Sequence, residues 1–410
     1  MRYQYAKEKE GSDVLHKSID SPITAVSHQN PYPYYSNLII DKPIYFDELL
    51  SMWIVSSADS VDAVLTSVIC KVRPLREQVP KTLTGSRAGD IFGRMIRMND
   101  GEYQAQMKNA VIATMDAVDA VDAVDAEHFL TLCKKWSQHL IHSIHSRDTA
   151  WIQKLAFQLP VYVMASLLGV PTSQLRDIER SVNDFVRGIA PNSSAEQIVN
   201  GKLAAETLFT QITDIIAAGA SNNLLAGLSA QATSSGHGDT SVVAANAIGF
   251  LSQSYEATAG LLLNTIYVLG SRPDVYEQVK RDSNLLAPAI EEVLRYDPPI
   301  QNTRRYVSED CVIAGQRMRK GDTILLVLAA ANRDGSANPA PEEFDLFRKH
   351  RHIFTFGRGP HVCPGNSLAT IMAKAGVEEL MLSGIDFRRF HPNVSYMPSP
   401  NARIPLLQFV

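Results

Sequence analysis

The cysteine at position 363 lies in surroundings that suggest chemistry more clearly than any other part of this sequence. Three glycines and a histidine stand close to it in the run Phe356-Gly357-Arg358-Gly359-Pro360-His361-Val362-Cys363-Pro364-Gly365. Glycines at this density let a backbone fold tightly around a bulky group and turn its N–H groups inward. A helix is predicted to begin just beyond, at Asn366. Inward N–H groups and a helix N-terminus both favour a thiolate over a thiol.

A lone thiolate of this kind suits a planar metal cofactor that fills its other coordination positions itself. No second cysteine or histidine accompanies Cys363 at the spacing of a zinc site. Haem iron meets these conditions, so the run predicts that Cys363 is an axial haem ligand. The alternative is a buried structural cysteine in a glycine-rich turn. The further motifs described below favour haem.

The composition describes the setting of this site. The chain has 410 residues, of which 45% are hydrophobic and 20% charged, as in a globular protein with a substantial core. A net charge of −4 argues against a nucleic-acid partner. The four cysteines are far apart, which fits a reducing compartment. The N-terminus is polar and no run of about eighteen apolar residues occurs, so we expect a cytoplasmic protein without membrane contact.

Helical periodicity dominates the chain. Helices are predicted at Ile152–Val170, Ser241–Leu269 and Pro288–Tyr296, and strands at Cys311–Ile313, Thr323–Leu328 and within Pro398–Val410. A repeat of Asp-Ala-Val type between Asp116 and Ala126 predicts a helix with a solvated acidic face, to which we assign no function. No change of composition marks a linker, so a single mainly helical unit is the simplest organisation.

The run around Cys363 closely resembles the haem-ligand loop of the cytochrome P-450 monooxygenases. The chain from Val72 to Val410 is similar to soluble bacterial members of that family, whereas residues 1–71 match it weakly. This resemblance implies one haem-binding catalytic domain over residues 1–410, mainly α with a minor β-sheet. It also implies haem b with Cys363 as the metal ligand, and with Phe356, Gly357 and Gly365 beside it. The absence of a C-x-x-C-H sequence indicates that the haem is held non-covalently.

Glu292 and Arg295 lie three residues apart, on one face of the third predicted helix. As an isolated pattern such a pair is usually a surface salt bridge of little consequence. The position of the pair before Asp297-Pro298-Pro299 is similar to the Glu-x-x-Arg motif of the family, which implies a buried structural pair. The family often adds an arginine where this chain has Glu343, so we expect Arg348 or Arg333 to complete the network.

The two haem propionates need cationic or hydrogen-bonding partners if they are partly buried. The resemblance assigns this role to His361 and Arg305. Where many bacterial members carry a histidine and an arginine four residues apart on an early helix, this chain has Gln104 and Lys108. Both face one side of that helix, and lysine supplies a charge without a planar fork. The alternative is that Lys108 is an ordinary exposed lysine.

The helix Ser241–Leu269 resembles the family's distal helix, whose acid and alcohol deliver protons to dioxygen. The match places Glu256 at the acid and Ala257 at the alcohol, so the usual hydroxyl is missing. Ser254 and Gln253 lie one turn earlier on the same face and could replace it, and Thr258 is rotated by about 100°. Some relatives with alanine here are thought to recruit a substrate hydroxyl and water. Alternatively, Ser254 and Gln253 hydrogen-bond back to their own helix.

The resemblance implies insertion of one oxygen atom into a small organic molecule, in specialised metabolism. Electrons would come from a separate ferredoxin and ferredoxin reductase, and we expect a monomer. The pocket residues are expected in the segment 73–94 and at Phe250, Gln253, Ile300, Gln301 and Asn302. The alternatives are another haem-thiolate enzyme, namely a peroxygenase, an oxidative coupling enzyme or a dehydratase, and a haem sensor without turnover.

Overall fold

The computed structural model describes residues 19–119, 122–143, 150–219, 223–390 and 394–408. Helices dominate this part of the chain. In chain order they are α1 Pro22–Ala25, α2 Tyr32–Asp41, α3 Ala58–Thr66, α4 Arg87–Arg94, α5 Glu102–Asp119, α6 Asp122–Ser143, α7 Trp151–Leu167, α8 Leu175–Ile189, α9 Ala195–Ala217, α10 Leu224–Ser234, α11 Thr240–Gly270, α12 Pro273–Arg281, α13 Leu286–Tyr296, α14 Leu328–Asn332 and α15 Asn366–Leu382. The strands are β1 Ile44–Asp47, β2 Met52–Val55, β3 Cys70–Lys71, β4 Thr303–Val307, β5 Cys311–Ile313, β6 Gln316–Met318, β7 Thr323–Leu326, β8 Ser395–Tyr396 and β9 Pro405–Leu406.

The three predicted helices are present as α7, α11 and α13, with small differences at their ends. Helix α7 ends at Leu167 rather than Val170 because Gly169 adopts a left-handed φ of +84°. Helix α11 begins where the side chain of Asp239 accepts a hydrogen bond from the Ser241 N–H at 2.7 Å. The side chains of the Asp-Ala-Val repeat between residues 116 and 126 lie outside the described part of the structure.

The predicted strands at 311–313 and 323–328 are β5 and β7, and the expected tail strand is β9. Strand β7 ends two residues early because Leu328 opens α14. The main sheet has the order β1-β2-β7-β4-β3, in which only the β2–β7 pairing is parallel. Its side chains alternate between two faces. Ile54 and Leu325 pack with the N-terminal helix α2, while Val55 and Leu326 pack with α3.

Strands β1 and β2 were not predicted, although they place the N-terminal segment in the main sheet. They are four residues each and lack a regular alternation of buried and exposed side chains. Strand β4 was also missed, because two arginines interrupt its apolar pattern. Short strands of this kind are recognisable from their pairing: β2 and β4 pair with β7, and β1 pairs with β2.

Helix α11 forms the centre of the largest hydrophobic cluster and packs against α4, α7, α9 and α15. Its residues are apolar around most of the circumference, as expected of a helix enclosed by others. Among the described helices, none is both long and apolar enough to cross a membrane. The mainly α class with a minor sheet, predicted from the sequence, is confirmed.

Candidate active site

The segment that carries Cys363 is a tightly folded loop. The Cys363 N–H donates to the Phe356 carbonyl at 2.8 Å, and the Gly357 N–H donates to the Phe354 carbonyl at 2.8 Å. Gly359 has a φ of +64°, and a Cβ there would lie 3.0 Å from the Leu65 carbonyl oxygen of α3. Only glycine combines this conformation with so close an approach. Helix α15 begins at Asn366, as predicted.

The ionisation of Cys363 differs from the expectation. Burial raises the pKa of the Cys363 thiol, and the Gly365 N–H, Lys108 and Arg97 oppose that rise only in part. Within the protein alone, burial therefore disfavours the charged sulfur more than its neighbours favour it, so the thiolate stays a prediction that depends on a bound metal ion. A coordinated metal cation deprotonates a thiol directly, so ligation remains compatible with this loop.

Gln104 and Lys108 meet at a single backbone atom of the same loop. The Gln104 Nε2 donates to the Pro360 carbonyl at 2.9 Å, and the Lys108 Nζ donates to it at 2.7 Å. Both side chains lie on one face of α5, as the spacing predicted. In this structure they connect α5 to the Cys363 loop, so Lys108 is not the uncommitted surface lysine of the alternative reading.

His361 and Arg305 lie close to the same region. The His361 Nε2 is 3.0 Å from Asp100 Oδ1, and the Val72 N–H donates to the other Asp100 oxygen at 3.1 Å. Burial raises the pKa of Asp100, but these two contacts outweigh it and hold the pKa below its usual range. Arg305 is buried, and the hydrogen bonds of its guanidinium are to the Arg304 carbonyl and Thr303 Oγ1. Because it contacts no carboxylate among the described residues, its remaining N–H donors suit an anion.

On α11, Glu256 and Ala257 are solvent-accessible although the helix is central to the protein. Burial raises the pKa of the Glu256 carboxyl, while Arg187 and Arg97 act in the opposite direction. Neither arginine forms an ion pair with Glu256 within the described residues. A carboxyl group with a raised pKa keeps its proton to higher pH, which suits a proton donor.

The three candidate replacements for the missing alcohol differ in their surroundings. The Ser254 hydroxyl donates to the Leu251 carbonyl at 3.1 Å, which agrees with the alternative that Ser254 hydrogen-bonds back to its own helix. The Gln253 amide lies over Gly249, where a Cβ would come within 2.9 Å of its Nε2. Thr258 is 1% exposed, and its Oγ1 has no hydrogen-bond partner among the described residues. Thr258 therefore does not reach the solvent-accessible face that Ala257 occupies.

The expected pocket residues divide into accessible and enclosed groups. Ile300 is partly accessible, and Phe250 is 9% exposed. The Gln301 side chain is fully buried and donates to the Pro298 carbonyl at 2.7 Å. The Asn302 side chain is also buried and donates to the Pro400 carbonyl at 2.8 Å. These two amides hold the backbone together, so the expectation that they contribute polar groups to the pocket is wrong.

The predicted Glu292–Arg295 pair is present and buried. Both side chains have 0% exposure, and Arg295 Nη2 lies 2.7 Å from Glu292 Oε1. Arg348 completes the network with its Nε 3.1 Å from Glu292 Oε1. Arg351, which the sequence did not indicate, adds its Nε 3.1 Å from Glu292 Oε2. The contacts of Glu292 with these arginines outweigh its burial and lower the pKa of its carboxyl.

Arg333, the other candidate for this network, lies elsewhere. Its guanidinium stacks between the rings of Tyr32 and Tyr296, at 3.8 and 3.7 Å from their centroids, and forms an ion pair with Glu342 at 2.5 Å. The sequence could not distinguish Arg333 from Arg348 because both choices depend on how distant loops fold around α13.

Arg97 is a site residue that sequence reasoning missed. It belongs to the 3-10 turn Ile96–Met98, which lies between α4 and α5. Its guanidinium lies deep in the protein and has Cys363 and Glu256 as its electrostatic neighbours, yet its side chain is accessible to solvent. It therefore faces the solvent-accessible interior that Glu256 and Ala257 of α11 also border, which we call the interior space. No sequence signal distinguishes this arginine from its exposed neighbour Arg94 except the apolar residues around it.

These residues fit a haem group. A single thiol in a glycine-rich loop and the small side chain of Ala257 border the solvent-accessible interior, and Arg305 retains donors that a propionate could use. Cys363 would hold the iron, and the Cys363 loop with His361 and Arg305 would hold the porphyrin edge. Within the described residues, no cluster of three or more His, Cys, Asp or Glu side chains offers an alternative metal site.

Solved structures share this fold over nearly the full chain. The crystal structure of P450BioI in complex with hexadec-9Z-enoic acid ligated acyl carrier protein superimposes with a TM-score of 0.79 at 23% identity, covering 93% of this chain and 99% of that one. The crystal structure of CalO2 gives a TM-score of 0.82 at 24% identity, covering 95% and 98%. At these identities the likeness shows the fold.

Sequence relatives extend the comparison. The biotin biosynthesis cytochrome P450 of Bacillus subtilis is 27% identical over 365 residues, covering 86% of this chain and 89% of that protein. Cytochrome P450 144 of Mycobacterium tuberculosis is 34% identical over 233 residues, covering 55% and 52%. The 20-oxo-5-O-mycaminosyltylactone 23-monooxygenase of Streptomyces fradiae is 26% identical over 360 residues, covering 86% and 82%.

The family model described as Cytochrome P450 matches residues 126–383, which include Glu292, Arg295 and Cys363. The match also contains the whole of α11 and α15, the two helices on either side of the interior space. The family prediction made from the Cys363 run is confirmed. The chain belongs to the cytochrome P450 family, and it is a haem-dependent monooxygenase.

Proposed function

We propose that this protein inserts one oxygen atom from dioxygen into a small organic substrate bound beside Glu256 and Ala257 of α11. The observation that best supports this proposal is the structure of the Cys363 loop. Its glycines allow close contact with α3, and Gln104 and Lys108 of α5 donate hydrogen bonds to it, so that the Cys363 sulfur is held at the border of the interior space. Haem b bound there supplies the chemistry of dioxygen activation. The whole chain is proposed to act as one catalytic domain.

The roles proposed for the side chains follow from their surroundings. Cys363 holds the iron, while His361 and Arg305 hold the propionates. Glu256 keeps a proton at higher pH than an ordinary glutamate and supplies it on the distal side. Ala257 leaves room for a water molecule or a substrate hydroxyl to complete that supply, because the Ser254 hydroxyl is already donated to its own helix.

The partners belong to the same proposal. Electrons are supplied by a separate ferredoxin and its reductase, in the cytoplasm, to a monomeric enzyme. The relatives named for biotin biosynthesis and for a 23-monooxygenase reaction support a role in the metabolism of small organic molecules. The structure of P450BioI with an acyl carrier protein raises the further prospect of a substrate presented on a carrier.

A turnover experiment tests the oxygen source. The purified holoprotein is supplied with ferredoxin, reductase and NAD(P)H under isotopically labelled dioxygen, with substrates chosen by a ligand-induced shift of the haem Soret band. We expect one labelled oxygen atom in the product and none from labelled water. Product formed with hydrogen peroxide but not with the electron-transfer chain would instead support a peroxygenase.

The second candidate is a haem-thiolate enzyme of another type, which the missing alcohol at Ala257 favours. An oxidative coupling enzyme or a dehydratase would consume the same substrates without adding oxygen. Products that lack the label in every arm, with substrate still consumed, would support this candidate. Ligand binding without any product from either oxidant would support a haem sensor.

A further inference from the structure

Arg97 is held on the α11 side of the interior space by its neighbours in the chain. The Ile96 N–H donates to Asn246 Oδ1 of α11 at 2.9 Å, and Asn246 Nδ2 donates to the Arg94 carbonyl at 3.3 Å. On the other side, the Asn99 amide donates to the Gly93 and Met95 carbonyls at 2.9 and 2.7 Å. The backbone on both sides of Arg97 is therefore fixed.

The guanidinium at the end of this side chain has no acceptor. Among the residues that the structure describes, the Arg97 side chain forms no hydrogen bond and no ion pair, and it is open to the interior space. Five N–H donors that meet no protein acceptor are available to an anion. Glu256 is an electrostatic neighbour but lies beyond ion-pair distance.

Arg97 is one of several cations near the interior space. Arg187 is a second electrostatic neighbour of Glu256, but at Tyr255 it is accompanied by the carboxylates of Glu179 and Asp184. On the side of the Cys363 loop, Lys108 donates to the Pro360 carbonyl and His361 contacts Asp100, while Arg305 uses part of its donors on Arg304 and Thr303. Arg97 therefore differs from them in having all of its donors available.

We propose that Arg97 binds a carboxylate of the substrate, so that the preferred substrates of this enzyme are organic acids oriented with their acid group against the turn Ile96–Met98. The planar fork of an arginine matches a carboxylate in two parallel hydrogen bonds. A molecule held at that end presents a carbon distant from the acid group to the face of α11 that carries Ala257. This inference rests on the proposed function, because it needs a substrate bound between α11 and the haem that Cys363 would hold.

The test uses probes that occupy the distal pocket through their own iron-binding nitrogen. Imidazoles N-substituted with alkyl chains of increasing length, each ending in either a carboxylate or the matching primary amide, are titrated into the holoprotein. Binding is read from the long-wavelength shift of the Soret band. For at least one chain length, we expect the acid to bind about ten- to a hundredfold more tightly than the amide.

Two variants of Arg97 and one control variant test whether the preference for the acid depends on Arg97. In Arg97→Gln the preference for the acid should fall to about one, and in Arg97→Lys a partial preference should remain because the charge persists without the fork. The control is Arg94→Gln, since Arg94 is an exposed arginine that pairs with Asp90 on the surface, and it should keep the full preference. Removing an unpaired interior charge should not lower the thermal unfolding midpoint of Arg97→Gln.

Two results would overturn the inference while leaving the proposed function intact. One is the absence of acid preference at every chain length in the original protein. The other is an acid preference that survives in Arg97→Gln while haem transfer to apomyoglobin accelerates, which would assign Arg97 to a haem propionate. No Soret shift with any probe would contradict the proposed function and the inference together.

Discussion

At the scale of single residues, the distal face combines an acid that is easy to protonate with a position that lacks its expected hydroxyl. Burial raises the pKa of Glu256, whereas Ala257 offers only a methyl group and the Ser254 hydroxyl is donated to Leu251. We therefore propose that proton supply at this face depends on Glu256 together with water or a hydroxyl of the substrate. The first two predictions concern these residues.

Glu256→Gln should make the folded protein more stable at neutral pH. Because burial raises the pKa of Glu256 in the folded state, ionising it in the fold costs free energy. That cost appears as the pH rises above the ordinary glutamate pKa and is complete above the folded-state pKa. The thermal midpoint of Glu256→Gln should exceed that of the original protein at pH 8, and the difference should shrink towards pH 5. A lower midpoint for the variant at pH 8 would show that the charge is stabilising.

Ser254→Ala should leave the coupling of electrons to product unchanged, since the Ser254 hydroxyl is used by the backbone of α11.

Glu256→Gln should reduce product formation more than it weakens substrate binding, because the side chain keeps its shape and loses its proton. The measurement is product and hydrogen peroxide formed per NAD(P)H consumed. A rise of hydrogen peroxide in Ser254→Ala, with substrate still bound, would assign the proton path to Ser254.

At the scale of secondary-structure elements, one carboxylate of α13 holds three segments together. Glu292 contacts Arg295 of its own helix, and Arg348 and Arg351 of the loop that leads towards Cys363. The Arg295 guanidinium also donates to the Pro341 and Glu343 carbonyls at 2.8 Å each. Removal of this one carboxylate would leave several buried positive charges without a counter-ion.

Glu292→Ala should therefore prevent the assembly of a stable holoprotein. Breaking a buried pair costs about 3–5 kcal/mol, because the partner charge is left uncompensated. The matched control is Glu291→Ala, which removes an exposed carboxylate that pairs with Arg351 and should cost at most about 1 kcal/mol. The measurement is haem content per folded chain after purification. Normal haem content in Glu292→Ala would show that the network is dispensable.

Short sequence separations account for what could be predicted at this scale. The Cys363 loop and the Glu292–Arg295 pair are local patterns, in which spacing fixes the geometry. The choice of Arg348 over Arg333, and the presence of Arg351, depend on a long loop packing against α13. Arg97 escaped prediction for the same reason, since only the hydrogen bond between Ile96 and Asn246 places its side chain towards the interior.

At the scale of the whole molecule, Arg403 joins the two ends of the described chain. Its guanidinium donates to the Val26, His28 and Gln29 carbonyls at 3.1, 2.6 and 2.9 Å. Its Nε donates to Asp297 Oδ1 at 2.8 Å, and the Tyr32 hydroxyl donates to the same carboxylate. The weakly matched N-terminal part is thereby fixed to the segment that follows α13.

Arg403→Met should lower the stability of the whole protein, by about 3–5 kcal/mol, because Asp297 loses its buried partner. The matched control is Arg388→Met, since Arg388 is partly exposed and pairs with Asp386 and Glu277 on the surface. That control should change stability far less, because solvent screens an exposed ion pair. Urea unfolding followed by circular dichroism measures both. Equal effects of the two substitutions would mean that the N-terminal segment contributes little.

The central claim is that Cys363 is the axial ligand of the haem, and the carbon monoxide spectrum of the reduced protein tests it most directly. The original protein should show the strongly red-shifted Soret band of thiolate ligation. Cys363→His should move that band to the position of imidazole-ligated haem, while Cys311→His, at another free cysteine that is partly accessible, should leave it unchanged. A red-shifted band that persists in Cys363→His would contradict the account.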